Sequence, residues 1–231
     1  MNFKTFRIAF PRTAPVLAGY LALGTAFGLL LRTVGLGPGW AAVMSVFIYA
    51  GSAEFLAVSL IGAQAGLGQV ALLTFLLNFR HFFYGLSMIS RYKDAGWRKG
   101  YLMFSLTDET YALLAAGTMP NGVDPTDYCF AVSVLDHSYW IIGSVIGAVA
   151  GSLITFDTTG VDFAMTALFV VLAVEQWKSN AHHAPALCGL FCGIVCLLVF
   201  GPDYFLIPSL AIIAALMMAM RRRLEPKEAA A

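Results

Sequence analysis

The chain has 231 residues, 59% of them apolar and 12% charged, with a net charge of +1 and a mean hydropathy of +0.78. Soluble domains carry about 45–50% apolar and about 25% charged residues. The composition therefore describes an integral membrane protein and excludes an appended soluble catalytic domain. The net charge says nothing about partners; where the charges fall says more.

Lys4, Arg7 and Arg12 precede the first apolar stretch, which is long for a signal peptide and lacks a small-residue cleavage site. It reads as a retained first span. Eight hydrophobic segments follow the order 13–32, 40–62, 66–90, 101–119, 129–155, 161–177, 184–201 and 204–220. They predict an all-α membrane protein with a single polytopic domain over 1–231. A span needs about 20 apolar residues; the sixth segment falls short of that before Glu175 and Lys178. The second is interrupted at its middle by Ala50-Gly51-Ser52-Ala53-Glu54.

Charge discriminates between two topologies. If all eight segments cross, the basic loop with Arg91, Lys93, Arg98 and Lys99 lies on the opposite side from the basic N-terminus, against the positive-inside rule. If segments two and six re-enter instead, about six helices cross. The N-terminus, the 91–100 loop, Lys178 and the Arg221-Arg222-Arg223 tail then all lie inside. Arg32 and the loop with Asp124 and Asp127 lie outside. This second model is preferred, with eight crossing helices as the alternative. A weak repeat accompanies it: a shift of 123 residues aligns Gly24 with Gly147, Gly28 with Gly151, Gly37 with Gly160, Ala41 with Ala164 and Ala50 with Ala173. The candidate halves are 13–119 and 129–220. Under the re-entrant topology segments one and five run in opposite directions and the repeat is inverted, as in many secondary transporters.

Polar groups concentrate at four places within the apolar segments. Arg80 and His81 lie inside Thr74-Phe75-Leu76-Leu77-Asn78-Phe79-Arg80-His81-Phe82-Phe83-Tyr84-Gly85. A charge at bilayer depth is costly and is normally paired or directed to a water-filled cavity on a substrate or ion pathway. A snorkelling arginine is the bland alternative. Asp108-Glu109 lies in segment four. Arg80 precedes Arg91 by eleven residues and Asp108 follows Gly100 by eight. An antiparallel hairpin of segments three and four would thus match them in depth within about one turn. Asp108 is the favoured partner of Arg80, leaving Glu109 to titrate. Glu54 follows the Gly51-Ser52 interruption, where freed backbone groups could hold substrate; a kink with Glu54 at the interface is the alternative. Asp136-His137, early in segment five, and Glu175 read as interfacial. Cys188, Cys192 and Cys196, spaced four apart beside Gly189 and Gly193, read as a packing stripe rather than a metal site.

Three of these motifs, Tyr49-Ala50-Gly51-Ser52-Ala53-Glu54-Phe55, Asn78-Phe79-Arg80-His81-Phe82-Phe83-Tyr84-Gly85 and Leu106-Thr107-Asp108-Glu109, resemble the AzlC/YgaZ family in order and spacing. The resemblance covers nearly the whole chain. Two departures stand out: Glu54 occupies a position where the family has Gln, and Asn78 one where it can carry Asp. The resemblance implies a bacterial inner-membrane exporter of branched-chain amino acids, coupled to the proton gradient and working with a small hydrophobic AzlD-type subunit. That subunit is expected on the Gly143-Gly147-Gly151 or Gly189-Gly193 face, or these faces serve packing within the chain. No cofactor, metal or nucleic-acid partner is expected. Gly51, Ser52, Glu54, Asn78, Arg80 and His81 are the candidate substrate-binding residues, and Asp108 and Glu109 the candidate proton-coupling pair. A membrane-embedded enzyme using Asp, Glu and His, or a non-transporting assembly subunit, are the competing classes.

Overall fold

A computed structural model describes residues 3–116, 119–120, 122–153, 170, 174, 177, 183–205, 208–209, 211–213 and 215–216. Most of segment six, with Glu175, Lys178 and the Arg221-Arg222-Arg223 tail, lies outside the described residues, as do Gly160, Ala164 and Ala173 of the repeat. The chain divides into two compact units, Met1–Met165 and Thr166–Ala231. Every candidate site residue belongs to the first.

Among its described residues the first unit has seven helices: α1 (Phe3–Thr33), α2 (Pro38–Phe47), α3 (Gly51–Gly62), α4 (Leu67–Met88), α5 (Arg98–Phe104), α6 (Asp108–Ala116) and α7 (Pro125–Leu153). Among the described residues, only α1, α4 and α7 are long and apolar enough to cross a membrane. The other four have 10, 12, 7 and 9 residues in chain order. At about 1.5 Å per residue none exceeds about 18 Å, roughly half of a bilayer's hydrocarbon thickness.

Both short pairs fold back on themselves. The start of α2 and the end of α3 lie together at the C-terminal end of α1. A Cβ on Gly37 would sit 3.5 Å from Arg32 Nη1, and one on Gly62 would sit 3.4 Å from Val34 Cγ1. The α2–α3 pair is therefore a re-entrant hairpin, as the interrupted second segment predicts. The α5–α6 pair enters from the opposite end. At its base Arg98 pairs with Asp127 at the start of α7. Leu114 and Met119 on its returning limb pack into a cluster with Ala9, Met88, Tyr92 and Tyr128. Its break, Ser105 to Thr107, lies deep, where the Thr107 hydroxyl meets Tyr20 Oη at 2.7 Å.

This differs from the sequence expectation at segment four, which forms two half-length helices instead of one crossing helix. Thr107 starts α6 afresh: its Oγ1 accepts the Thr110 backbone N–H at 3.3 Å, a side-chain N-cap. The consequence for topology is direct. Asp124 and Asp127 lie at the same end as the basic 91–100 loop, as the Arg98–Asp127 pair requires, and not at the opposite one.

Helices α1 and α7 pack along their lengths and run parallel. Thr13 bonds Tyr139 at 3.0 Å. A Cβ on Gly143 would fall 2.6 Å from the Tyr20 carbonyl, one on Gly147 2.0 Å from the Thr25 carbonyl, and one on Gly28 2.1 Å from the Ser144 carbonyl. Glycine is required at these positions because the two backbones occupy the space of a side chain. The expected inverted relation between segments one and five does not hold, since contacts advance in the same direction on both helices. Helix α1 with the α2–α3 hairpin and α4 with the α5–α6 hairpin instead share one order, a long helix followed by a short pair, with the two pairs entered from opposite ends. The Gly143-Gly147 face is occupied by α1.

In the second unit the main described helix is α8 (Ala184–Tyr204). Cys192 and Cys196 are buried and Cys188 is part-buried, all as free thiols. Gly189 and Gly193 have open space where a Cβ would point.

Candidate functional site

The two hairpin breaks meet in the middle of the first unit. In the α2–α3 break, Tyr49 adopts φ +44°, a left-handed conformation unusual for a large side chain. Such strain costs on the order of 1–3 kcal/mol and persists only where surroundings over-determine it. Here the Tyr49 ring stacks on His137 with centroids 4.1 Å apart. Across the break its ring also approaches Phe104, the last residue of α5, at 6.3 Å.

The breaks leave the N-terminal ends of α3 and α6 deep in the fold. Helix N-termini carry unsatisfied N–H groups and partial positive charge, so they favour carboxylates. Each holds them: Glu54 lies in the first turn of α3, and Asp108 and Glu109 in the first turn of α6.

Glu54 is completely buried. Its Oε1 accepts the Trp140 indole N–H at 3.0 Å, and its Oε2 accepts the Ser45 hydroxyl at 3.4 Å. The interfacial alternative for this residue is thereby replaced by a buried, hydrogen-bonded carboxyl. Gly51 makes room for this arrangement, because a Cβ there would lie 3.0 Å from the Trp140 ring.

Arg80 links both breaks. From α4, its Nη2 donates to Ser52 Oγ at 2.9 Å and pairs with Asp108 Oδ2 at 3.0 Å. The depth match expected from sequence therefore ends in the Arg80–Asp108 pair, although α5–α6 is broken. Arg80 Nε, Asp108 Oδ1 and Asn78 Oδ1 are buried with no hydrogen-bond partner. Buried polar atoms normally have partners, so such a group of three marks a place where a polar ligand or water fits. His81 is not drawn into the breaks; its Nδ1 meets the Asn78 carbonyl of its own helix at 3.2 Å.

Glu109 turns away from Arg80 and accepts the Tyr20 hydroxyl at 2.8 Å. The Tyr20 oxygen also bonds Thr107, Thr107 bonds Thr110 at 3.1 Å, and Thr110 donates to Asp136 Oδ2 at 2.8 Å. Asp136 is fully buried and His137 nearly so. The His137 Nε2–H donates to the Ser45 carbonyl at 3.0 Å, which leaves Nδ1 to accept from Tyr101 Oη at 3.0 Å.

Counted from residue 129, where the apolar segment begins, Asp136 and His137 fall near the interface. The helix begins at Pro125, with Asp124 Oδ1 accepting the Asp127 N–H at 2.9 Å. Asp136 thus lies about 16 Å along α7. An Asp three residues before an Asp, followed by Pro in the first helical position, was the available signal. Trp140, Tyr20 and Tyr49 were also missed, since nothing local distinguishes a polar-handed aromatic that lines a site from one that lines the core.

A model of the AzlC protein family matches residues 15–154, which takes in both hairpins and all the residues above. The chain belongs to the AzlC family. It is 38% identical to the Bacillus subtilis branched-chain amino acid transport protein AzlC over 226 residues, covering 98% of this chain and 89% of the relative. It is 45% identical to an uncharacterized membrane protein of Helicobacter pylori J99, covering 96% and 97% of the two chains. Against the inner membrane protein YgaZ of Escherichia coli it is 29% identical, covering 82% and 81%. No solved structure matches it. An AzlC-family chain with these spans is a multi-pass protein of the bacterial inner membrane.

Proposed function

We propose that the protein is a secondary transporter that exports valine, leucine, isoleucine or a similar amino acid, driven by proton coupling and assisted by a small hydrophobic AzlD-type subunit. The observation that carries this reading is Arg80, held between Ser52 and Asp108 at the junction of two broken hairpins. Broken helices whose N-termini meet inside a membrane fold suit an anionic substrate group.

A zwitterion fits the groups left unpartnered there. The substrate carboxylate takes Arg80 Nε and the free N–H groups of the α3 first turn at Gly51 and Ser52. The substrate ammonium takes Asp108 Oδ1 and Asn78 Oδ1, which are buried without partners. Binding thus uses atoms that the Arg80–Asp108 pair leaves free, so a bound substrate bridges the two hairpins without breaking that pair. Glu54 holds the α3 first turn in place through Trp140 rather than touching substrate. Glu109, adjacent to Asp108 but bonded to Tyr20, is the proton-carrying group.

The branched-chain preference comes from the relative named for that transport. The test is purified chain in liposomes, with and without the small subunit, loaded with labelled leucine under an imposed pH gradient. Leucine efflux that rises with the gradient supports the reading. Efflux indifferent to the gradient removes the proton coupling, product formation without flux makes the protein an enzyme, and no flux with the subunit present removes transport.

A further inference from the structure

Glu109 and Asp136 are joined by an unbroken run of three hydroxyls. The links are Glu109 Oε2 to Tyr20 Oη at 2.8 Å, Tyr20 to Thr107 at 2.7 Å, Thr107 to Thr110 at 3.1 Å, and Thr110 to Asp136 Oδ2 at 2.8 Å. The run draws on α1, the α5–α6 break, α6 and α7, so it depends on the hairpin geometry and on no single helix.

Counting hydrogens decides its state. Four links need four hydrogens, and each hydroxyl supplies one. With both carboxyls ionised there are three, and one pair of oxygens faces each other with nothing between. With both protonated there are five, one too many. One carboxyl proton completes the run. It sits on Glu109, with every hydroxyl pointing toward Asp136, or on Asp136, with every hydroxyl pointing toward Glu109. The two arrangements interconvert when each hydrogen crosses its own link from one oxygen to the other, with no atom gained or lost.

The surroundings favour a single charge at the pair. Asp136 is fully buried, its Oδ1 has no hydrogen-bond partner, and among the described residues no cation pairs with it. Tyr49, Tyr101 and Tyr139 lie near it, and a phenol supplies no positive charge. His137, next in sequence, has both ring nitrogens engaged elsewhere, at Ser45 and Tyr101. Around Glu109 the charged neighbours are Asp108 and Arg80, which pair with each other. Two ionised carboxylates in such a site repel through a low-dielectric interior and lack enough donors to compensate.

We propose that Glu109 and Asp136 share one proton through Tyr20, Thr107 and Thr110, making Asp136 a second proton-carrying residue and this run the path between them. Its use in transport rests on the proton-coupled reading above; the shared proton itself does not, and is read without substrate. The run places the two proton positions at different distances from Arg80. A proton at Glu109 leaves no second charge beside the Arg80–Asp108 pair, and a proton at Asp136 leaves one.

Infrared absorbance of protonated carboxyls in the purified full-length chain tests this directly. An amide at either end supplies the fourth hydrogen permanently. Glu109→Gln should therefore leave Asp136 ionised, and Asp136→Asn should leave Glu109 ionised. Each single variant is expected to lose the absorbance of one protonated carboxyl, and the double variant no more than either single. A double variant that loses twice as much, or single variants that lose nothing, would overturn the proposal. Thr110→Val interrupts the run without touching a carboxyl, and Thr110→Ser preserves it. In the Val background the effect of Glu109→Gln on Asp136 should vanish, and in the Ser background it should remain. Persistence in the Val background would show coupling by charge alone and sink the hydroxyl path. Gradient-driven leucine flux in the Thr110 variants then reports use of the path, and its failure leaves the spectroscopic result standing.

Discussion

Trp140 on α7 donates its indole N–H to Glu54 on α3 at 3.0 Å, between two side chains that are both almost wholly buried. The bond fixes the α3 first turn to a long spanning helix and holds the α2–α3 break at constant depth. It is also why Gly51 has no side chain, since the Trp140 ring fills that space.

Glu54→Gln should fold nearly as well as the parent, because the amide oxygen still accepts from Trp140 and the Ser45 hydroxyl can turn to meet the amide. Glu54→Leu should destabilise by about 1–3 kcal/mol, as the buried indole N–H is left without a partner. Adding Trp140→Phe to Glu54→Leu should recover part of that loss. Thermal unfolding in detergent is the measurement. If Glu54→Leu unfolds at the parent temperature, the bond contributes nothing.

The close crossing of α1 and α7 sets a second expectation. Gly147→Ala forces a Cβ within 2.0 Å of the Thr25 carbonyl, and backbone cannot rotate away as a side chain can. Overpacking of this kind costs about 1–3 kcal/mol or more. Gly189→Leu on α8 meets open space and should leave folding unchanged. If the small subunit docks on that open face, Gly189→Leu abolishes its co-purification while Gly147→Ala does not. Equal loss of stability in both variants would show that close packing is not specific to α1 and α7.

Much of this was legible from residues alone. The break at Ala50-Gly51-Ser52 and the depth match of Arg80 with Asp108 follow from local composition and from counting residues along a helix. The α5–α6 break was not legible, because Ser105-Leu106-Thr107 carries no glycine or proline and reads as continuous apolar helix. What ends α5 there is the Thr107 cap together with Tyr20 from a distant helix, a tertiary effect that periodicity does not record. That break also returns the chain to the side it came from, which puts Asp124 and Asp127 beside the basic 91–100 loop and makes α1 and α7 parallel. Asp136 was undervalued for a smaller reason, a helix start set four residues late.

Sidedness follows from the two re-entrant hairpins. Single cysteines replacing Lys93 and Asp124 should react with an impermeant maleimide from the same face, and one replacing Ala63 from the other. The background should lack Cys129, Cys188, Cys192 and Cys196. Lys93 is preferable to its neighbour Ala95, which is buried. The basic residues at the Lys93 end place that face in the cytoplasm by the positive-inside rule. Opposite labelling of positions 93 and 124 would mean that α5–α6 crosses the membrane after all.

The link between the hairpins gives the last expectation. Arg80 Nη2 holds Asp108 at 3.0 Å and Ser52 at 2.9 Å, with the Arg80 side chain 41% and the Asp108 side chain 29% exposed. That exposure moderates the cost of breaking the pair, so Arg80→Leu should lower stability by about 1–2 kcal/mol rather than the 3–5 kcal/mol of a fully buried pair. Most of the loss comes from Asp108, left without its cation. Arg80→Leu with Asp108→Asn should therefore recover stability. Arg80→Leu with Glu109→Gln should not, because Glu109 bonds Tyr20 and not Arg80. Neither double variant should regain leucine flux, since both lack the guanidinium assigned to the substrate carboxylate. Thermal unfolding of the parent, the single and the two double variants decides the pairing, and liposome flux decides the role. Recovery with Glu109→Gln instead of Asp108→Asn would assign the pair to the wrong carboxylate. Wild-type flux in Arg80→Leu would move substrate recognition away from the hairpin junction altogether.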